Sequence, residues 1–178
     1  MMTQFSDLLL RSFESLLPDT ARHDRCHFTL SGSEGANSEL AGTYEFVDLY
    51  CQDLFCNCQK VSLCIRGSDE QTYATISFGW RSRMFYHKWG LDKQTTRLLT
   101  QGFIDPFAQQ SPHSSEFLSI FLSIKRNAYF IPRLKERYSV FKEAILLNPF
   151  DVLHEDYSNL PENVIPLRPK QIQNRKIS

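Results

Sequence analysis

Lys60-Val-Ser-Leu-Cys-Ile-Arg66 and, after a short break, Thr72-Tyr-Ala-Thr-Ile-Ser-Phe-Gly-Trp80 are the stretches whose reading decides the fold. In the first, Val61, Leu63 and Ile65 alternate with Ser62 and Cys64. In the second, Ala74, Ile76, Phe78 and Trp80 alternate with Thr75 and Ser77. A period of two places each apolar set on one face of an extended strand, with the small polar set on the other. The Gly67-Ser-Asp-Glu70 break is a turn by composition. Upstream, Thr43–Tyr50 (TYEFVDLY) is rich in β-branched and aromatic residues and reads as a third strand. Three sequential strands with short connections imply an antiparallel meander with one face covered and the other partly wet.

Outward from this centre the period changes. Phe5, Leu8, Leu9, Phe13, Leu16 and Leu17 recur at helical spacing and stop before Pro18, which predicts an N-terminal amphipathic helix. Cys26–Leu30 reads as a short strand, and 31–38 as a loop. Asp92 can cap a short helix ending at Gly102. Ser114 or Ser115 can cap an apolar helix through Phe117, Leu118, Ile120, Phe121, Leu122 and Ile124, expected to be buried on more than one side. A last helix runs through Leu134, Tyr138, Phe141 and Ile145, with Pro132 near its first turn and Asn148-Pro149 ending it. Arg133, Lys135, Arg137 and Lys142 on that helix read as a solvated face. The fold class expected is α+β, an antiparallel β-meander with helices packed on one face. Residues 1–157 are expected to form a single α+β domain, and 158–178 an extended, poorly ordered basic tail.

Composition bounds the function. The chain of 178 residues carries 20 basic and 20 acidic side chains, so no global field draws it toward nucleic acid or anionic lipid. No window approaches the roughly 20 apolar residues of a membrane span, so no membrane partner is expected. No basic segment precedes the apolar N-terminal run, and the five cysteines are clustered and odd in number, unlike a disulfide framework. The expected compartment is the cytoplasm.

Three of those cysteines lie in Cys51-Gln-Asp-Leu-Phe-Cys56-Asn-Cys58. Cys51 closes one strand, while Cys56 and Cys58, two apart, point the same way if the chain between them is extended. Three converging thiolates suit a soft tetrahedral ion, zinc by default. A closed site needs a fourth ligand, for which Cys26, His27 and His87 are the candidates, together with Asp53 or a water. Cys64 faces the same side as Cys58 on this reading but lies roughly 20 Å along the strand, out of reach. The alternatives are three reduced thiols filling a hairpin tip, or a redox role.

A second constellation interleaves aromatics with cations: Trp80, Arg81, Arg83, Tyr86, Lys88 and Trp89. Stacking surfaces beside phosphate-binding cations hold single-stranded nucleic acid. The same pattern also arises where aromatics pin a strand-to-helix crossover under a basic rim. No Gly-rich phosphate loop, nucleophile elbow or His-Glu-x-x-His occurs.

Read together and in order, Gly42-Thr-Tyr-Glu-Phe-Val-Asp-Leu-Tyr-Cys51 with Cys56-Asn-Cys58, Ala74-Thr-Ile-Ser-Phe-Gly-Trp80, Phe85-Tyr86-His-Lys-Trp89, Asp105-Pro106 and Arg133-Leu-Lys-Glu-Arg-Tyr-Ser-Val-Phe-Lys142 resemble an uncharacterised family of bacterial cytoplasmic proteins. Many of its members end in a SEC-C metal-binding motif, the zinc module also found at the end of the SecA translocation ATPase. The resemblance spans roughly residues 40–145. It implies that Cys51, Cys56 and Cys58 belong to the family pattern and that Cys26 and Cys64 do not. It also weakens His87 as a ligand, since a basic residue is expected there. Residues 166–178 look like the linker into SEC-C, but the motif itself does not follow. The family supplies no established activity. The leading expectation is a non-enzymatic adaptor with a structural zinc site and an unidentified protein partner. Its rivals are a single-stranded nucleic-acid-binding protein and a thiol- or metal-dependent enzyme.

Overall fold

The computed structural model describes residues 10–32 and 38–147. β3 (Gly42–Cys51), β4 (Lys60–Gly67) and β5 (Thr72–Gly79) form the expected meander. Phe46 stands opposite Ile65, Asp48 opposite Leu63, and Leu63 opposite Ile76. Two further strands share the free edge of β3: β1 (Leu10–Ser12) pairs with Leu49–Cys51, and β2 (Cys26–Leu30) pairs with Gly42–Phe46. They behave as one edge strand interrupted by two short helices, α1 (Phe13–Leu16) and α2 (Pro18–His23). This corrects the single N-terminal helix. Ser12 caps α1 by accepting from the Ser15 N–H, and Pro18 opens α2 where its missing N–H costs nothing. Pairing of Leu10–Ser12 with β3 overrides their helical spacing, while residues 1–9 of that expected helix lie outside the described residues.

β6 (Phe103–Ile104) closes the other side against β5. Beyond it, the Gln110 side-chain amide brackets the Thr75 peptide, accepting from its N–H and donating to its carbonyl at 3.0 Å each. The β5 edge is thereby covered without a full strand. The sheet of six strands described is antiparallel throughout.

α3 (Arg83–Lys88), α4 (Lys93–Gln101), α5 (Ser114–Ile124) and α6 (Phe130–Leu147) follow. Asp92 caps α4 through the N–H groups of Gln94 and Thr95, and Gly102 ends it at φ 94°, a conformation that favours glycine. For α5, the cap position is His113, without the serine cap the sequence suggested. One sheet face carries Tyr44, Phe46, Tyr50, Val61, Leu63, Ile65, Ala74, Ile76 and Phe78. It packs on Phe117 and Phe121 of α5 and on Phe130, Leu134, Phe141 and Ile145 of α6. Edge-on ring pairs join the layers, including Tyr44–Phe117 at 4.8 Å and Phe46–Phe130 at 5.3 Å. The remaining apolar residues of α5, Leu118, Ile120, Leu122 and Ile124, are only partly buried against this core.

Of the four α6 cations expected on a solvated face, Lys135 is exposed, but Arg133 and Lys142 are half-buried and Arg137 is buried. Arg137 is 7% exposed and makes a two-pronged ion pair with Asp48, both bonds 2.7 Å. Its guanidinium also lies 3.7 Å from the Phe13 ring centre and bonds Asp24. Arg133 likewise pairs with Asp24 at 3.0 Å. These contacts fasten α6 over the break between β1 and β2. The helix end at Asn148-Pro149 and the tail 158–178 lie outside the described residues.

Candidate metal centre

Between β3 and β4 the chain makes a tight loop. The Asp53 carboxylate accepts from the Phe55 N–H at 2.9 Å, and the Asp53 carbonyl accepts from the Cys56 N–H at 3.1 Å. This turn folds Cys56 back toward Cys51. Gln59 then adopts φ 46°, which interrupts the strand alternation before Lys60. The outcome is convergence: the sulfurs of Cys51, Cys56 and Cys58 all lie within 4.8 Å of one another. Cys51 and Cys58 are buried and Cys56 is half-buried.

Two helices back the loop. From α6, Lys142 donates to the Asp53 carbonyl at 2.6 Å, and the Tyr138 hydroxyl reaches the Cys56 carbonyl at 3.5 Å. From α3, the fully buried Tyr86 donates to the Gln59 carbonyl at 2.8 Å. Tyr138 is itself wedged edge-on between Tyr50 at 5.8 Å and Trp80 at 5.4 Å. A Cβ at Gly79 would overlap the Tyr86 phenol, so glycine there admits the ring that ties down Gln59.

The electrostatics favour one negative charge at once. A hydrogen bond from Cys58 pulls the Cys51 thiol down to about 6 against its burial, with the Asp53 backbone and the Lys142 charge helping. Cys58, as the donor, is pushed far up, and burial adds to the effect. Burial raises Cys56 as well, and the negative Cys51 beside it raises it further. Removing the second and third protons therefore opposes both burial and mutual repulsion. A dication reverses both effects. Three thiolates around zinc at about 2.3 Å stand about 3.8 Å apart in tetrahedral geometry, which the observed cluster reaches with small side-chain adjustments. The donor set fits a soft ion.

The other residues singled out by sequence lie elsewhere. Cys26 stands opposite Phe46, five positions from Cys51 along β3 or roughly 17 Å at strand rise. His27 stands opposite Glu45. His87, exposed on α3, turns its Nδ1 to the Leu91 carbonyl at 3.1 Å. Cys64 contacts the Thr75 hydroxyl at 3.7 Å on the face away from the core, whereas Cys58 lies beside Tyr138. The kink at Gln59 thus undoes their expected common side. Among the described residues, no other His, Cys, Asp or Glu joins the group.

The aromatic–cationic segment is split by its own helix. Tyr86 is a buried strut, and Trp80 packs on Phe78 and Tyr138. Arg81, Arg83, Lys88 and Trp89 remain exposed, with Trp89 stacked on Phe85 and Arg81 lying 4.7 Å from the Phe85 ring centre. α3 itself was not legible, because a six-residue helix is too short to show a period.

Sequence reasoning also missed Tyr138 and Lys142 as the backing of the cysteine loop. Their four-residue spacing, which places both on one helix face, was the available signal. No family model matches the chain, and no curated protein or solved structure matches it either. Among the described residues no helix is long and apolar enough to cross a membrane.

Proposed function

We propose that this chain is a non-enzymatic interaction module whose β3–β4 loop is cross-linked by a zinc ion on Cys51, Cys56 and Cys58. The observation that carries the reading is the convergence of the three sulfurs within 4.8 Å. When bound, a soft dication neutralises thiolates that burial otherwise disfavours and joins the end of one central strand to the start of the next. The chain's own residues do the rest. Asp53 folds the turn, Lys142 and Tyr138 hold it to α6, and Tyr86 holds its exit to α3. Phe55 at the loop tip is 96% exposed and Leu54 beside it is 36% exposed, so ordering the loop presents an apolar tip to a protein partner. The cytoplasm, where thiols stay reduced, suits such a site.

Elemental analysis of the purified chain tests the metal. Near-stoichiometric zinc in the wild type, lost in Cys56→Ser and Cys58→Ser, is the expected result, and a metal-free wild type prepared without chelator overturns the proposal. The partner surface is tested by Phe55→Ser, which should leave zinc content unchanged while abolishing association with whatever protein the wild type retains. A second reading, single-stranded nucleic-acid binding, draws support from the exposed Arg81, Lys88 and Trp89 on α3. It expects salt-dependent RNA binding that Trp89→Ala abolishes.

A further inference from the structure

The fold leaves large apolar side chains of α3, α4 and the turn between them in water. Met84 is 67% exposed, Trp89 49% and Leu98 38%. Met84 stands between two clefts and lines both. One, of about 400 Å³, lies between the helices and is bordered also by His87, Lys93 and Thr96. The other, of about 440 Å³, is lined by Trp80, Arg81, Ser82, Met84, Phe85 and Lys88. Each is large enough for one bulky side chain of a partner. Exposed apolar surface of this kind, rimmed by charge, marks a place where something docks.

The chemistry of the walls and the local charge say what kind of partner fits. In the cleft between the helices the exposed surface is mainly apolar, although Arg83, Lys93 and Arg97 border it. The cations therefore lend it the carbon of their stems. At the second cleft, Phe85 is already engaged by Trp89, stacked with ring centres 6.5 Å apart, and by the Arg81 guanidinium at 4.7 Å. Among the described residues, that leaves no row of free rings there for bases to stack on. Exposed methionine, tryptophan and arginine are instead what protein interfaces concentrate. The methionine thioether adapts to apolar side chains of differing shape. Residues 81–97 also hold five Lys or Arg against the single acid Asp92, in a chain whose totals balance. Asp92 is spent on capping α4, accepting from the Gln94 and Thr95 N–H groups. A partner complementary to this surface is apolar at its centre and acidic around it.

We propose that this surface docks a short acidic segment of a partner protein, which seats an apolar side chain in each cleft on either side of Met84. The apolar anchors supply the affinity, and the acids meet the cationic rim and speed the encounter. The docking needs no metal at the cysteine loop, so its failure and the failure of the zinc reading are separate outcomes.

Selection of phage-displayed random dodecapeptides on the immobilised full chain at low ionic strength tests it. Expected is enrichment of sequences with a pair of large apolar residues about two to four positions apart, flanked by Asp or Glu. The most enriched peptide, made with a fluorescent label, should bind one-to-one by anisotropy. Met84→Ser should weaken it about tenfold, as loss of an interface anchor does. Arg97→Glu should also weaken it about tenfold at low salt, and less as salt is added. Tyr129→Ser, which removes an exposed ring from the turn before α6, should bind as wild type. No enrichment, or enriched sequences without acids, overturns the assignment. So does wild-type affinity in Met84→Ser or in Arg97→Glu. A uridine oligonucleotide that binds more tightly than the selected peptide overturns it too, since the occupant would then be a nucleic-acid strand. Melting curves of the variants confirm that a lost affinity is not a lost fold.

Discussion

Arg137→Met isolates the contact that fixes α6 to the sheet. Methionine keeps an unbranched stem over Phe13 but removes the guanidinium that meets Asp48 at 2.7 Å on both oxygens. Burial by itself lowers the Arg137 pKa, yet the Asp48 hydrogen bonds and charge outweigh it and hold the pKa above the ordinary value. Asp48 is 2% exposed, so the variant strands a carboxylate among Tyr50, Leu63 and Phe13 with no solvent to turn to. Breaking a buried pair from one side costs about 3–5 kcal/mol. With a urea slope of about 2 kcal/mol/M, the unfolding midpoint should fall by roughly 2 M. The double variant Asp48→Leu/Arg137→Met removes both charges and should recover to within about 1–2 kcal/mol of wild type. Far-UV circular dichroism in urea reads all four corners of the cycle, with an expected coupling of several kcal/mol. A single variant within about 1 kcal/mol of wild type, or a double variant no better than the sum of the singles, would refute the reasoning.

Three further outcomes are expected. In zinc-loaded protein, a strong chelator should lower the melting temperature by several degrees, because metal-binding energy is also folding energy, and Cys58→Ser should be insensitive to it. Burial pushes both Tyr86 and Tyr138 up to about 12, the nearby thiols adding to the effect at Tyr138. Their folded pKa values exceed the unfolded value of about 10, so their stabilisation is complete below pH 10 and is lost as pH climbs toward 12. Absorbance at the phenolate band should show late-titrating tyrosines together with alkaline destabilisation, and tyrosines that all titrate near pH 10 in the folded protein would contradict it. Gly79→Ala must displace the Tyr86 ring from Gln59, costing about 1–3 kcal/mol in denaturant unfolding and loosening metal retention.

The meander was legible because its evidence is local. Alternation in β4 and β5 put Val61, Leu63, Ile65, Ala74, Ile76 and Phe78 inward, where the structure has them. The cap at Asp92 and the stop at Gly102 were legible for the same reason. Asp48 was readable in principle, since it shares the strand parity of Tyr44, Phe46 and Tyr50, which the structure turns inward. An acid at an inward position asks for a buried cation, but nothing in the sequence says that Arg137, 89 residues away, supplies it. The N-terminal segment misled because Leu10–Ser12 trade helical spacing for hydrogen bonds to β3, a partner known only once the edge exists.

The cysteine cluster divides in the same way. Spacing alone placed Cys51, Cys56 and Cys58 at one strand–loop–strand junction, because the segments on either side read as neighbouring strands of the meander. Spacing could not decide whether three sulfurs point at one another or into the core. That depends on the turn set by Asp53, the positive φ at Gln59, and the struts Tyr86, Tyr138 and Lys142 that hold the loop from two helices. It also could not exclude a fourth ligand by tertiary approach, whereas strand register placed Cys26 and His27 well down β3. Local pattern fixes what each residue can be. Which residues meet is decided by long-range packing, because contacts between segments distant in sequence leave no period to read.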